Sequence, residues 1–310
     1  MITRKISLSR GTKIVEKTAT IKAYGAWGAV CFFWGTTYLA IRVAVEALPP
    51  SLFAGARFVA AGLILITFLK IKGYELPSRR ELLDITVAGI ALLTIGNGLV
   101  VWSEQWVPSG LTALIVATVP FCMVGIEAAL PSGEKLTGRK VLGIAIGFAG
   151  LALLLGPDLT GSFDASYLKG ILALLFASLF WAAGSIYFKY RAIKTNPLMA
   201  ASFQMIIAGT VLLLIAWIFG EFKQVTFHLR AFLALIYLMV FGSIVGHVSY
   251  IYALAKLPAS TVSMYAYINP IIAVILGWLL LNERLDWIVG AATFIVLLGV
   301  VLVNTSRSDK

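Results

Sequence analysis

Charge is scarce in this chain: Asp, Glu, Lys and Arg make up 13% of its 310 residues, about half the roughly 25% of an average soluble domain. Cysteine and histidine are scarcer, with two of each. Cys31 and Cys122 both lie in apolar runs, which gives neither a disulfide framework nor a metal-ligand spacing. No H-E-x-x-H pair exists, and no G-x-x-x-x-G-K-[ST] loop, so zinc hydrolysis of that type and P-loop nucleotide hydrolysis are excluded. "GNGLVV" (96–101) fails the dinucleotide pattern. No metal site and no cofactor is expected, and no enzyme: a membrane-embedded enzyme needs a nucleophile with its base, or two acidic metal ligands, on facing spans. What the chain has instead is apolar residues, 60% of the total, and a mean hydropathy of +0.94. One globular core cannot hide that excess, so the solvent for most of the chain is lipid.

A helix needs roughly 20 mostly apolar residues to span a bilayer. Ten runs qualify: 24–42, 51–70, 83–102, 109–130, 138–156, 168–188, 198–219, 231–254, 259–281 and 286–304. The first follows a polar, basic stretch without a small-residue cleavage site, and reads as a retained span with no signal peptide. Ten spans put both termini on one side. That side collects nineteen of the 25 Lys and Arg residues, the other side five, and Arg57 alone lies inside a span. Cytoplasmic loops are the basic ones, so both termini are expected in the cytoplasm. The net charge of +11 therefore points to a membrane surface, and no nucleic-acid partner is expected.

The chain also repeats itself. Shifted by 147 residues, "WGTTYLAIR" (34–42) lies over "WAAGSIYFK" (181–189), Pro50 over Pro197 and Gly62 over Gly209. Further on the shift becomes 150 and Pro108 meets Pro258, Pro120 meets Pro270. Each half holds an odd number of spans, so the second must enter the membrane in the opposite sense. Inverted repeats of this kind characterise secondary transporters, with the substrate near the midplane between halves. The expected layout is a basic tail (1–23), a first five-helix domain (24–156), a linker (157–166), a second five-helix domain (167–304) and a short tail (305–310).

Pro120 and Pro270 stand in the middle of "ALIVATVPFCMVGIEAALPSGEKL" (113–136) and "SMYAYINPIIAVILGWLLLNERL" (263–285). A proline removes an N–H and frees a carbonyl one turn earlier, which in lipid needs a partner or a wet cavity. Both prolines are expected to break their helices, with Asn269 facing the cavity so formed; a kink that only improves packing is the plainer alternative.

On these residues, and on "WGTTYLAIRVAVEALPPSLFAGARFVAAG" (34–62), "GNGLVVWSEQWVPSGLTALIVATVP" (96–120) and "YAYINPIIAVILGWLLLNERL" (265–285), the chain resembles the EamA family of the drug/metabolite transporter superfamily, and most of all its bacterial YedA-type subgroup. The resemblance spans nearly everything from 24 to 304. It implies an all-α integral membrane protein of ten helices in two inverted EamA domains. It further implies a central cavity and alternating access, usually for export of amino acids or related metabolites across the inner membrane. One departure is at "LPSGEKL" (130–136), which lies over "LLLNERL" (279–285) at a shift of 149 where Pro120 and Pro270 keep 150, so the first repeat is one residue longer there.

The polar groups inside spans are the candidate site. Arg57 carries a charge that costs about 2.5–3.5 kcal/mol at a helix centre. It serves either a structural ion pair, with Glu104 and Glu46 towards the same outer side, or a substrate carboxylate. Its repeat counterpart is the neutral Gln204. Asn97 and His247 are counterparts under the shift of 150. His247, with a reference pKa of about 6.5, is the candidate carrier of a coupling proton or else a packing residue. Trp34, Trp102, Trp181, Tyr250 and Tyr265 offer faces to a planar substrate, with Tyr38 a further cavity candidate, though aromatics near span ends, Trp102 above all, also serve as interfacial anchors. Gly143 and Gly147 form a small-residue face that serves either the monomer or a homodimer.

Overall fold

Backbone N–H and C=O groups in a lipid-immersed segment must bond within the segment, and every span expected from the sequence is helical. The structure, a computed structural model, describes residues 2–131, 136–159, 165–191, 193–283 and 285–305, with side chains within 20–131, 136–153, 165–191, 193–283 and 285–303. The helices are α1 (Ile2–Val45) and α2 (Pro50–Ile71), α3 (Arg79–Ser103) and α4 (Ser109–Ala129), α5 (Gly138–Leu159) and α6 (Ala165–Tyr190). They continue as α7 (Pro197–Ile218), α8 (Leu229–Lys256) and α9 (Ala259–Leu281), and α10 (Trp287–Thr305). Among the described residues there is no strand. Among the described residues eight helices, α1 from Thr20 onward, α2 to α4 and α6 to α9, are long and apolar enough to cross a membrane, and Trp287–Val303 is a shorter apolar helix.

The ends of these helices follow local chemistry. Proline opens α2 and α7, where its missing N–H costs nothing, and the Asn196 side chain accepts from Leu198 N at 2.9 Å to cap α7. Ser78 and Glu81 form a reciprocal capping box at the start of α3. Asn282 ends α9 in the left-handed region at φ 54°, which Asn tolerates better than most residues.

The backbone helix of the first span runs unbroken from Ile2 to Val45, through the boundary expected at 23/24. Residues 157–159 of the expected linker belong to α5 and 165–166 to α6, while 160–164, the tail beyond 305, Arg284 and residues 132–135 of "LPSGEKL" lie outside the described residues.

The proline pair behaves unequally. The α4 break falls at Ala117–Thr118, just before Pro120 in the first turn of the resumed helix. Pro270, by contrast, sits inside the unbroken stretch Tyr265–Leu281, and the α9 break falls earlier, at Met264. A hydroxyl stands at each break: Thr118 Oγ1 donates to Ile115 O at 2.7 Å and Ser263 Oγ to Ser260 O at 2.8 Å. Such back-bonding gives a carbonyl an alternative to the helix ladder. The counterpart of Thr118 is Ile268, which has no hydroxyl, and the break moves to Ser263.

Close packing shows the relation between the halves. A Cβ on Gly55 would lie 2.9 Å from Gly209 O, one on Gly62 2.9 Å from Ser202 O, and one on Gly209 2.8 Å from Val59 N. Positions rising along α2 meet positions falling along α7, so the two helices run antiparallel with backbones in contact. The same holds for α5 on α10, where Gly143 meets Gly299 and Gly150 meets Val296. The small face of Gly143 and Gly147 is thus used within the monomer. Elsewhere α1 packs on α8 and α9 as α6 packs on α3 and α4, the pairing expected of two equivalent halves.

Candidate functional site

Two tryptophans meet where the halves join. Trp34 of α1 and its counterpart Trp181 of α6 stand edge to face with centroids 5.2 Å apart. Each indole lies over a glycine of the opposite half: a Cβ on Gly246 would come 2.3 Å from Trp34 Nε1, and one on Gly96 3.2 Å from Trp181 Cε3. Those glycines are counterparts under the shift of 150, and both sit in a π-helical stretch, Ile90–Asn97 in α3 and Leu238–His247 in α8. The wider π turn, common at functional sites, turns a side chain away from the ladder it would follow in a regular helix. Trp34 Nε1 donates to Gly242 O at 3.1 Å within one such stretch. Tyr250 stands behind the pair, its hydroxyl 3.1 Å from Trp181 Nε1 and 2.6 Å from Ser185 Oγ, and Tyr265 contacts Trp34 edge to face at 5.3 Å.

Both π stretches end in a polar residue bonded to the preceding helix. Arg57 of α2 donates through Nη2 to Asn97 Oδ1, and His247 Nε2 lies 2.9 Å from Gln204 Oε1 of α7. Since the amide oxygen only accepts, the imidazole donates from Nε2. These are one contact made twice, once in each half, with different chemistry: a cation on a neutral amide in the first half, two neutral groups in the second. The Arg57 guanidinium also lies 4.6 Å from the Phe58 ring centroid and 5.2 Å from that of Phe53, a favourable cation–π placement. The expected partner Glu104 does not pair with it. Both Glu104 carboxylate oxygens, Arg57 Nε, His247 Nδ1 and Gln204 Nε2 are buried without a hydrogen-bond partner.

A cavity of about 590 Å³, its open mouth included, lies between the dyads. Of the residues proposed from the sequence, Trp34, Tyr38, Arg57, Asn97, Trp181, His247 and Tyr265 line it. Gln204 and Tyr250 do not, and stand one layer behind, each bonded to a lining residue. Pro120, Pro270 and Asn269 are elsewhere. Asn269, with its amide nitrogen turned to the acceptors, donates to Cys31 O at 2.8 Å and Tyr265 O at 3.3 Å. It ties α9 to α1 and does not line this cavity. Thr37, Phe58, Val116 and Gly242 also line the space and were missed. Gly96 and Gly246, on which the tryptophans rest, were legible as glycines at equivalent positions. Among the described residues no group of three His, Cys, Asp or Glu could hold a metal ion.

Charged clamps close the ends of the bundle around this cavity. Glu283, just past α9, accepts from Ser109 N at 2.7 Å, Ser109 Oγ at 2.8 Å and Gly110 N at 3.0 Å, so it caps α4 from the opposite half. Gly277 makes room for it, since a Cβ there would lie 2.3 Å from Glu283 Oε2. Lys189 at the end of α6 donates to Leu254 O at 2.8 Å and Leu257 O at 2.6 Å. Its counterpart Arg42, at the end of α1, donates to Glu104 O, and Glu104 is the counterpart of Leu254. Cations on C-terminal carbonyls satisfy groups the helix leaves bare.

Known proteins share the sequence pattern and the fold of this chain. The chain matches the EamA-like transporter family over residues 24–156 and 168–305. It is 38% identical to the inner membrane transporter YedA of Escherichia coli over 92% of this chain and 91% of that one. It is 26% identical to the transporter YoaV of Bacillus subtilis, over 89% and 91%, and 29% identical to the WAT1-related protein At3g02690 of Arabidopsis thaliana, over 88% and 67%. One solved crystal structure superposes with a TM-score of 0.68 at 20% identity, covering 92% of this chain and 96% of that one, a likeness of fold. With a bundle of apolar helices and these relatives, the protein is a multi-pass inner membrane protein, and it belongs to the EamA-like transporter family.

Proposed function

We propose that this chain is a secondary transporter that exports amino acids or related small carboxylate-bearing metabolites by alternating access. The observation that carries the reading is the Arg57 guanidinium: it lines the cavity, bonds a neutral amide, and keeps its Nε free. A buried charge is costly without a counterion, and a planar fork of donors suits a carboxylate. The aromatic faces of Trp34, Tyr38, Trp181 and Tyr265 supply apolar walls, the usual composition of a small-molecule site. The proposed frame is ten spanning helices in two inverted five-helix domains, with the substrate between them and both termini in the cytoplasm. The antiparallel contacts of α2 with α7 and α5 with α10 support the inversion, and the uneven distribution of Lys and Arg supports the orientation.

The transport reading is tested by profiling intracellular metabolites after deletion and overexpression, then by flux of the responding compound in proteoliposomes. An exported substrate accumulates in the deletion and is depleted on overexpression; unchanged profiles in both would sink the reading. Orientation is tested separately with reporter fusions after Lys310 and in the loops near Arg79, Arg139 and Arg191, all expected to report cytoplasm. A periplasmic signal after Lys310 would end the ten-span frame.

A further inference from the structure

Glu104 is fully buried, and neither carboxylate oxygen has a hydrogen-bond partner. Arg42 is beside it but spends its bond on the Glu104 main-chain carbonyl. The counterpart position in the second half holds Leu254, whose carbonyl takes the same kind of clamp from Lys189. An apolar side chain therefore fills this slot equally well, and the fold does not need a carboxyl there. The slot is nonetheless next to the cavity: Asn97, Val100 and Glu104 follow one another along one face of α3 at spacings of three and four, and the first two line the cavity. The titratable and charged groups acting on Glu104 are Arg42 and Tyr38 of α1, Arg57 of α2 and Glu283 beyond α9. At the same level α6 brings Gly170 against Ser103.

We propose that the Glu104 carboxyl is a proton-binding site at the end of the cavity, placed between Arg57 and the Glu283 clamp. A carboxylate without donors in a dry site is far costlier than the neutral acid, so the closed arrangement described above is the one that holds the proton on Glu104. Releasing it to water leaves a carboxylate that needs either water or a cation. Water requires this end of the bundle to open, and a cation would have to give up a bond it now makes, Arg42 to the Glu104 main-chain carbonyl or Arg57 to Asn97. One proton bound or released on an oxygen of Glu104 thus selects between a closed arrangement, with both guanidiniums held in those bonds, and an opened one. The idea rests on the transport reading for its consequence, coupling to a proton, whereas proton binding and opening stand without it.

Two measurements on the full chain test it, neither requiring a known substrate. Infrared spectra of the lipid-reconstituted protein, taken from acid to alkaline buffer, are expected to show a carboxylic-acid carbonyl band that disappears on alkalinisation. The band should be lost in Glu104→Gln and should titrate at a different pH in Glu104→Asp. Next, Val100→Cys is labelled with a membrane-impermeant maleimide in the wild-type and Glu104→Gln backgrounds, both at equal membrane amount. The ratio of the two labelling rates cancels the thiol's own pH dependence, and is expected to rise several-fold from acid to alkaline buffer. A band unchanged by Glu104→Gln, or a ratio independent of pH, overturns the proposal. A titrating band in a protein that moves no metabolite would leave proton binding standing and remove the transport reading instead.

Discussion

The two halves of this protein build the same scaffold and fill it with different chemistry. Gly62 against α7 and Gly209 against α2, Trp34 on Gly246 and Trp181 on Gly96, Arg42 and Lys189 on helix-end carbonyls are each one contact used twice. At the centre the match of position holds while the match of residue fails: Arg57–Asn97 faces Gln204–His247, and Glu104 stands where the other half has Leu254. Repeat-equivalent contacts are those that close packing requires of either half. The unequal positions are where charge enters, and they cluster around the cavity. Symmetry thus separates what the fold needs from what the site needs, without any alignment of relatives.

The most damaging way to break this comparison is to make the dyads alike. Arg57→Gln gives both halves a glutamine and removes the charge. Transport is expected to fall about 10- to 100-fold, the equivalent of a charge-assisted hydrogen bond of about 1.5–3 kcal/mol, at normal membrane amount. Flux in proteoliposomes reads it, and wild-type flux would remove Arg57 from the substrate path. The glycine seats come next. Gly246→Ala drives a methyl into Trp34 and is expected to cost about 1–3 kcal/mol by overpacking; Gly96→Ala, whose methyl would meet Ala91 O at 3.0 Å and Trp181 at 3.2 Å, should cost visibly less. Thermal unfolding in detergent ranks the two, and equal shifts would show that the distances do not govern.

Smaller effects sharpen the comparison further. Glu283→Ala strips the cap from α4 and is expected to lose about 1–2 kcal/mol, read as a lower unfolding temperature that Glu283→Gln partly restores. Asn269→Ala removes the bond from α9 to α1 and should cost about 1 kcal/mol of stability while leaving the flux of folded protein intact. A selective loss of flux would return Asn269 to the cavity. Smallest are the paired cations: Arg42→Met and Lys189→Met should each cost about 0.3–1 kcal/mol, and a large difference between them would mean that Arg42 does more than hold a carbonyl.

Much of the site was legible because it is made of residues that lipid penalises. Arg57, Gln204, Asn97 and His247 stand out in apolar runs, and the internal shift pairs them across the halves before any coordinates. What could not be read is which of them touch. The shift pairs Arg57 with Gln204 and Asn97 with His247; the bonds run the other way, Arg57 to Asn97 and Gln204 to His247, because counterparts across the halves are equivalent in position, whereas bonds form between neighbouring helices. The prolines misled for a related reason. A proline marks where a backbone bond is missing, but the chain breaks beside Thr118 in one half and beside Ser263, well before Pro270, in the other.

Composition, span lengths, charge asymmetry and the internal repeat are properties of the chain itself, and they determined an all-helical, lipid-immersed protein of two related halves. They did so because the cost of an unbonded peptide group or an unpaired charge in lipid depends on little besides residue type. Only the tertiary structure decided the π-helical stretches, the seating of each tryptophan on a glycine of the opposite half, the Glu283 clamp and the solitary Glu104 carboxyl. Each depends on side chains brought together from helices far apart in sequence, and on space left by a missing Cβ or filled by a partner. No pattern along one strand of sequence encodes that space.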